Sequence, residues 1–351
     1  MKVNDLNICI ATVNGSGSQS ANNILMRAIF NMGIPVAGKN LFPSNIAGMP
    51  TWFWIRAHQN SFLAKKSVAD IVVCLNQASI NDDIHHLNKT GLLIVSDDIK
   101  ISDEFKSDRI IKVPFKNLVA DLSDSIKVKR YLINMVYVGV IAEMLGINQE
   151  SIEQSMQFFL GDKTKVLEAN RNALLAGRNF YRSNIQLNAD LQLTKMNANT
   201  NKMLIDGNTA AALGGVMGGC TVFSWYPITP ATSLGEKFIS LVQKYRKDEN
   251  SQNKFAILQA EDELAAVCMV LGAGWAGARA MTSTSGPGLS LMQEASGYAY
   301  YSEIPSVIWD VQRVGPSTGM PTRTMQADIL SCVYASHGDT LHICLFPANP
   351  T

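Results

Sequence analysis

Thr221-Val222-Phe223-Ser224-Trp225-Tyr226-Pro227-Ile228-Thr229-Pro230 reads as a short apolar strand that runs into a Pro-rich turn. Thr followed by Pro is a strong helix start, because a Thr side chain caps free amides and Pro at the first helical position needs no donor. The stretch therefore predicts strand, turn and helix, with the helix N-terminus facing the crevice beyond the carboxyl edge of a sheet, where anionic ligands bind. Read alone, Thr229 is an ordinary cap. Three further islands change that reading: Glu263, then Thr284-Ser285-Gly286-Pro287-Gly288, then Gln312-Arg313-Val314-Gly315-Pro316-Ser317-Thr318-Gly319. Together the four place a hydroxyl, a carboxylate, a Gly-rich loop and a guanidinium in one half of the chain.

Working outward, the same half alternates strands and helices. A helix over Asn208–Gly219 precedes the Thr221–Trp225 strand, and strands follow at Phe255–Leu258, Ala280–Thr282 and Ser306–Asp310. The N-terminal half alternates too, with strands expected at Ile8–Val13, Thr51–Ile55, Ala69–Leu75, Leu92–Val95 and Ile110–Val113, and a helix over Ser18–Met32. From Lys127 onward helices dominate, with Gly146 closing one and Asn148 capping the next. The expectation is an α/β protein of two domains: a doubly wound, largely parallel domain at 1–182, an exposed Asn-rich linker at 183–202 carrying Asn184, Asn188, Asn197, Asn199 and Asn201, and a second parallel-sheet domain at 203–351.

Composition sets the bounds. A chain of 351 residues exceeds what one core usually organises. Its charged fraction of 17% lies below the usual value of about 25%, which favours an oligomer. A net charge of +1 without a long basic run leaves no electrostatic footprint for nucleic acid. The six cysteines are widely spaced, form no C-x-x-C pair and read as buried thiols in a reducing, cytoplasmic setting, not as ligands of a metal or cluster. No apolar run approaches the roughly 20 residues that cross a bilayer, so no membrane association is expected.

The chemistry-bearing residues each have a bland alternative. Glu263 opens a helix whose Ala266, Val267, Val270 and Gly274 share one face; a carboxyl sharing that face can hold a proton and donate a hydrogen bond. Ser285, Gly286, Pro287 and Gly288 form a turn whose small residues also let backbone approach a ligand. Arg313 follows a strand and suits a carboxylate through its planar fork, although a surface ion pair is the simpler role.

With these residues in view, the chain resembles the 2-oxoacid:ferredoxin oxidoreductases, thiamine diphosphate enzymes, and specifically their fused gamma-alpha subunit, the 2-oxoglutarate type above all. Asn14-Gly15-Ser16-Gly17-Ser18 and Lys39-Asn40-Leu41-Phe42-Pro43-Ser44-Asn45 resemble the gamma part; Tyr226 to Pro230, Asp262-Glu263 and Gln312 to Thr322 resemble the thiamine diphosphate pyrimidine-binding part. Without the last run the N-terminal Gly-rich loop is a weak signal, because Ser20 replaces the third Gly of a dinucleotide fingerprint. The resemblance implies that Tyr226, Pro227, Ile228, Thr229, Glu263, Ser285, Gly286, Pro287 and Gly288 bind the cofactor. It implies that Glu263 bonds N1′ of the aminopyrimidine and so promotes loss of the thiazolium C2 proton, and that Thr229 and Arg313 face the substrate, with Arg313 on its carboxylate.

The implied reaction is coenzyme A-dependent oxidative decarboxylation of a 2-oxoacid, with electrons passed to ferredoxin. No Gly-Asp-Gly motif with a downstream Asn is found, so the resemblance puts Mg2+, the diphosphate and a 4Fe-4S cluster on a separate beta subunit, in a dimer of heterodimers. It also implies that a further C-terminal domain is missing or separately encoded, since Pro347-Ala348-Asn349-Pro350-Thr351 follows soon after an apparent strand. Alternatives are a related enzyme for pyruvate, branched-chain or aryl 2-oxoacids, and a non-catalytic assembly subunit.

Overall fold

A computed structural model describes residues 2–42, 47–102, 109–185, 190–336 and 338–350; Pro43, Ser44, Asn45, Asn188 and Thr351, quoted above, lie outside the described residues. The chain divides into two units, Met1–Leu204 and Ile205–Thr351.

The first unit runs β1 Lys2–Val3, β2 Asp5–Val13, α1 Ser18–Asn31, β3 Val36–Leu41, β4 Pro50–His58, β5 Ala69–Cys74, α2 Ile80–His85, β6 Leu87–Ser96, β7 Ile110–Val113, α3 Phe115–Leu118, α4 Ile126–Leu145, α5 Gln149–Leu160, α6 Thr164–Asn184 and β8 Leu191–Gln192. Six strands form one sheet in the order β3-β4-β2-β5-β6-β7. From β2 to β7 the pairing is parallel, as expected, but β4 pairs antiparallel with both β2 and β3. Its Thr51–Ile55 core reads as one more strand, and nothing in periodicity encodes its direction. Strand β5 is buried at every position, which is why its Ala-Asp-Ile-Val-Val-Cys run barely alternates.

One sheet face packs on α1, α4, α5 and α6 through Ile8, Ile10, Ile24, Leu25, Val136 and Val140, among others. Helices α4 and α6 cross at paired glycines: a Cβ on Gly139 would overlap the Leu174 carbonyl, and one on Gly177 the Val136 carbonyl. Gly146 closes α4 at φ 74°, and the Asn148 side chain accepts from Ser151 N–H at 2.8 Å at the head of α5.

The expected linker is mostly exposed over its described part, but it is tied down along the first unit. Leu191–Gln192 pairs parallel with Lys2–Val3, the Met196 N–H donates to Met32 O at 2.8 Å, and Asn199 Nδ2 donates to the carbonyls of Phe30 and Ile34 at 2.9 and 2.8 Å. Asn199 thus serves as a side-chain donor to carbonyls at and just past the end of α1, a role that a solvated coil imitates in sequence.

The second unit runs α7 Gly207–Met217, β9 Val222–Trp225, α8 Thr232–Tyr245, β10 Ala256–Gln259, α9 Glu263–Trp275, β11 Ala280–Thr284, α10 Gly286–Leu291, α11 Gln293–Tyr301, β12 Val307–Asp310 and α12 Ile329–Val333. Its sheet is wholly parallel, in the order β10-β9-β11-β12. The chain moves from β9 out to β10 and then back across to β11, so the direction of winding reverses between β9 and β11. In open parallel sheets the ligand crevice forms at such a point, beyond the carboxyl ends. Phe223, Trp225, Phe238 and Met281 fill one face; Val267, Leu271, Met292 and Ile304 form a second cluster. The apparent strand before the chain end is not observed: residues 341–346 take no strand structure, and Leu341, Ile343 and Leu345 are exposed. An apolar run becomes a strand only when a neighbouring strand accepts its backbone bonds.

Candidate functional site

The register of the second sheet brings four strand ends level: Trp225 pairs with Gln259, and Thr284 with Asp310. The four sequence islands follow directly from those ends. Glu263 is the first residue of α9, whose N-cap is Asp262, with its side chain accepting from Ala265 N–H at 2.7 Å. The buried face of α9 holds Glu263, Ala266, Val267, Val270 and Gly274 together, and Glu263 is only 7% exposed.

Glu263 lies against the Gly-rich loop. A Cβ on Gly288 would stand 2.6 Å from Glu263 Cγ and 2.9 Å from its Oε1, and would overlap Thr284 Oγ1. Only glycine lets this backbone come so near the carboxyl. The hydroxyls of Thr282 and Ser283 on β11, and of Ser285 just after it, are buried without hydrogen-bond partners. Such groups are costly unless a ligand or water satisfies them. A buried carboxyl set against bare glycine backbone, with unpartnered hydroxyls on β11 and at Ser285, is chemistry that suits the polar heteroaromatic ring of the implied cofactor.

Arg313, 6% exposed, closes the other side. It donates through Nη1 to Thr229 O at 2.7 Å and through Nη2 to Thr318 O, while its Nε is buried without a partner. Gly319 lies beside that nitrogen at φ 70°, and a Cβ there would be 3.2 Å from Nε. Burial holds the Arg313 proton affinity down, opposed by the charges of Glu263 and Asp328. The guanidinium therefore ties the loop after β9 to the loop after β12 and leaves its Nε without a partner.

The Thr229 expectation needs correcting. The Thr229–Pro230 peptide is cis, the helix begins at Thr232 with Ala231 as N-cap, and no side chain caps it. A Thr-Pro pair also suits a turn, and here the turn stands before the helix. Thr229 is exposed and meets Arg313 through its main-chain carbonyl. Tyr226 is exposed and Pro227 and Ile228 are half-buried on the same loop. Ser285, Gly286 and Gly288 are buried, with Pro287 partly so. The structure thus gathers Glu263, the 285–288 loop, Arg313 and the Thr229 carbonyl.

Sequence reading missed an acidic group beside them. Asp310 ends β12, and burial together with nearby Asp328 raises its pKa to about 6. Burial likewise raises Asp328, opposed by the Arg313 main-chain N–H and charge. Cys332 donates to Asp310 Oδ2 at 3.5 Å and is pushed up to about 12, mainly by burial. No spacing rule marks these residues; Asp310 as the last residue of a strand was the only available signal. The uniformly buried thiols expected from sequence are also corrected: Cys9, Cys74 and Cys220 are buried, Cys332 and Cys344 are half-buried, and Cys268 is exposed on α9. Cys268 sits on a helical turn away from the Glu263 face, which an apolar run cannot reveal.

The first unit carries a separate cavity of about 580 Å³. It is floored by Thr12, Val13 and the 14–18 loop at the head of α1, and walled by Tyr131 and Phe53. Gly17 is the α1 N-cap at φ 77°, and a Cβ there would stand 2.6 Å from the Tyr131 ring. Without a capping side chain, the first α1 amides are left to a ligand or water. Among the described residues, no group of three or more His, Cys, Asp or Glu is placed to hold a metal, and no helix is long and apolar enough to cross a membrane.

Comparison with known proteins accounts for both units. Residues 214–351 match the family model described as pyruvate flavodoxin/ferredoxin oxidoreductase, thiamine diphosphate-binding, and residues 7–180 the one described as pyruvate ferredoxin/flavodoxin oxidoreductase. The 2-oxoacid:ferredoxin oxidoreductase 2 subunit alpha of Aeropyrum pernix is 30% identical over 391 aligned positions, covering 97% of this chain and 60% of that protein. The 2-oxoglutarate synthase subunit KorA of Archaeoglobus fulgidus is 46% identical over 146 positions, 42% of this chain and 40% of that one. Among solved structures, 2-oxoglutarate:ferredoxin oxidoreductase from Magnetococcus marinus, with 2-oxoglutarate, coenzyme A and succinyl-CoA bound, superposes with a TM-score of 0.86 at 28% identity, over 96% of this chain and 57% of that one. The chain spans about 60% or less of the length of these relatives. It belongs to the 2-oxoacid:ferredoxin oxidoreductases, with the gamma-type and the thiamine diphosphate-binding alpha-type units fused in one polypeptide.

Proposed function

We propose that this chain is a subunit of a cytoplasmic 2-oxoacid:ferredoxin oxidoreductase that converts a 2-oxoacid, 2-oxoglutarate foremost, to its acyl-CoA and passes electrons to ferredoxin. The observation that carries this reading is the buried Glu263 carboxyl set against Gly288 and Thr284, with Arg313 sharing the same space. Thiamine diphosphate, once bound, supplies the electron sink for decarboxylation. Glu263 holds and moves a proton at its carboxyl oxygen, and burial excludes water that would compete for it. Gly288 lets the loop backbone stand against Glu263, and the unpartnered buried hydroxyl of Ser285 supports a polar contact for the ring. Arg313 offers Nε to the 2-oxoacid carboxylate, at a site where an unpaired buried donor favours an anion.

The cavity in the first unit is the candidate coenzyme A site, its Gly-rich loop and α1 amides suiting phosphate groups and its Tyr131 and Phe53 walls an adenine or pantetheine arm. A beta subunit is required for Mg2+, the diphosphate and a 4Fe-4S cluster, and a dimer of heterodimers is the expected assembly. The exposed Leu264, Trp275, Tyr298 and Tyr301 give the second unit an apolar surface for such a partner.

The test is Glu263→Gln, assembled with the beta subunit. It should retain thiamine diphosphate while exchange of the cofactor's C2 proton falls by about 10²- to 10⁴-fold, the usual span of positioned acid-base catalysis. Unaltered exchange in a cofactor-loaded complex refutes the role of Glu263.

A further inference from the structure

We propose that Asp328 is a positioning residue for Arg313, setting the height at which the guanidinium meets the 2-oxoacid carboxylate. The inference rests on the preceding reading of Arg313 as the carboxylate-binding side chain.

The geometry is a reciprocal clasp. Gln312 Oε1 accepts from the main-chain N–H groups of Ala327 and Asp328 at 2.8 and 2.9 Å. In return the Asp328 carboxylate faces the main-chain N–H of Arg313, the next residue after Gln312. The two segments, fifteen or so residues apart in sequence, are therefore held at a fixed register by one side chain from each, like the paired bonds of a capping box. Asp328 has a second contact on the far side. Both of its carboxylate oxygens would lie 2.6 Å from a Cβ on Gly286, so the carboxylate is seated on the backbone of the Gly-rich loop.

This seat matters because Arg313 is already committed at its tip. Nη1 and Nη2 each give an N–H to the carbonyls of Thr229 and Thr318, and Nε is buried without any partner. With the tip tied and the main chain clasped, the position of Nε relative to the 285–288 loop is fixed through Asp328. Removing the carboxylate frees the root of Arg313 while leaving its charge and tip contacts in place. Such a change loosens ground-state grip on the carboxylate and leaves the reacting centre beside Glu263 untouched.

The experiment compares Asp328→Ala, Asp328→Asn and Arg313→Ala in the complex assembled with the beta subunit, using 2-oxoglutarate. Asp328→Ala should raise the 2-oxoglutarate KM about tenfold, with kcat and the coenzyme A KM within about threefold of the parent. Asp328→Asn, which keeps an acceptor oxygen facing Arg313 N–H, should restore KM to within about threefold. In a Glu263→Gln background, calorimetric Kd for 2-oxoglutarate should move with KM. The proposal is overturned if Asp328→Ala lowers kcat at unchanged KM, if Asp328→Asn is as impaired as Asp328→Ala, or if neither variant differs from the parent. A parent complex without 2-oxoacid turnover, or an Arg313→Ala variant with parental KM, overturns the underlying reading as well; a raised KM in Arg313→Ala beside parental Asp328 variants overturns the clasp alone.

Discussion

Gly288→Ala tests the closest approach in the site. The new methyl would sit 2.6 Å from Glu263 Cγ and overlap Thr284 Oγ1. Carbon atoms in favourable contact stand about 3.5–4.0 Å apart, so Glu263 must withdraw by about 1 Å. Rotating the end of the side chain gives no relief, because only a change about the Cα–Cβ bond, which swings the whole carboxyl away, displaces Cγ. Overpacking of this kind costs about 1–3 kcal/mol, and a misplacement of about 1 Å in a catalytic group costs about 10²-fold in rate. The expected outcome is a complex that still assembles, melts a few degrees lower and turns over about 10²-fold more slowly. Melting temperature and C2-proton exchange on the same preparation separate the two effects. Gly214→Ala is the control: a Cβ there meets nothing within 4 Å, and a helical Gly replaced by Ala gains up to about 1 kcal/mol. A Gly288→Ala complex with turnover within threefold of the parent would refute the proposed contact between Gly288 and Glu263.

Arg313→Ala removes a charged donor worth about 1.5–3 kcal/mol, so KM for the 2-oxoacid should rise about 10- to 100-fold while thiamine diphosphate affinity holds; steady-state kinetics with unchanged KM count against the carboxylate contact. Asp310, raised to about 6 from the ordinary 3.8, is more easily protonated folded than unfolded, so its contribution is full below about pH 4 and fades as pH climbs past 6. That fading amounts to about 3 kcal/mol at most, and Asp310→Asn should flatten the melting profile between pH 4.5 and 7.5; parallel profiles for parent and variant refute it. In the first unit, fully buried Asp83 accepts from Trp52 Nε1 at 2.7 Å, Cys74 Sγ at 2.9 Å and Ser79 Oγ at 2.9 Å. Asp83→Ala should therefore cost at least about 3 kcal/mol in denaturant unfolding through its stranded donors, and a loss below about 1 kcal/mol contradicts that role.

What could be read from the sequence was whatever depends on local pattern. The αL residue Gly146 and the cap Asn148 follow from neighbours alone, and the Glu263 helix declares its buried face by spacing. The parallel sheet of the second unit follows from alternation. Properties set by distant chain were hidden. Strand β4 runs antiparallel because of where β3 and β2 lie, residues 191–192 are paired with the first strand and 196–199 pinned by carbonyls at the end of α1, and Asp328 reaches Gly286 from about forty residues away. Thr229 illustrates the boundary between the two: its turn was legible, but the geometry that turns its carbonyl toward Arg313 was not.

The glycine crossing of α4 and α6 leaves evolution no room to negotiate. When two large side chains meet, one can shrink as the other grows, but Gly139 and Gly177 each press on the opposing main chain and neither has anything left to give up. A substitution at either position can be absorbed only by prising the helices apart. Because Tyr131 lies in the same helix about 12 Å from Gly139 and packs on Gly17, that separation would shift a wall of the cavity as well.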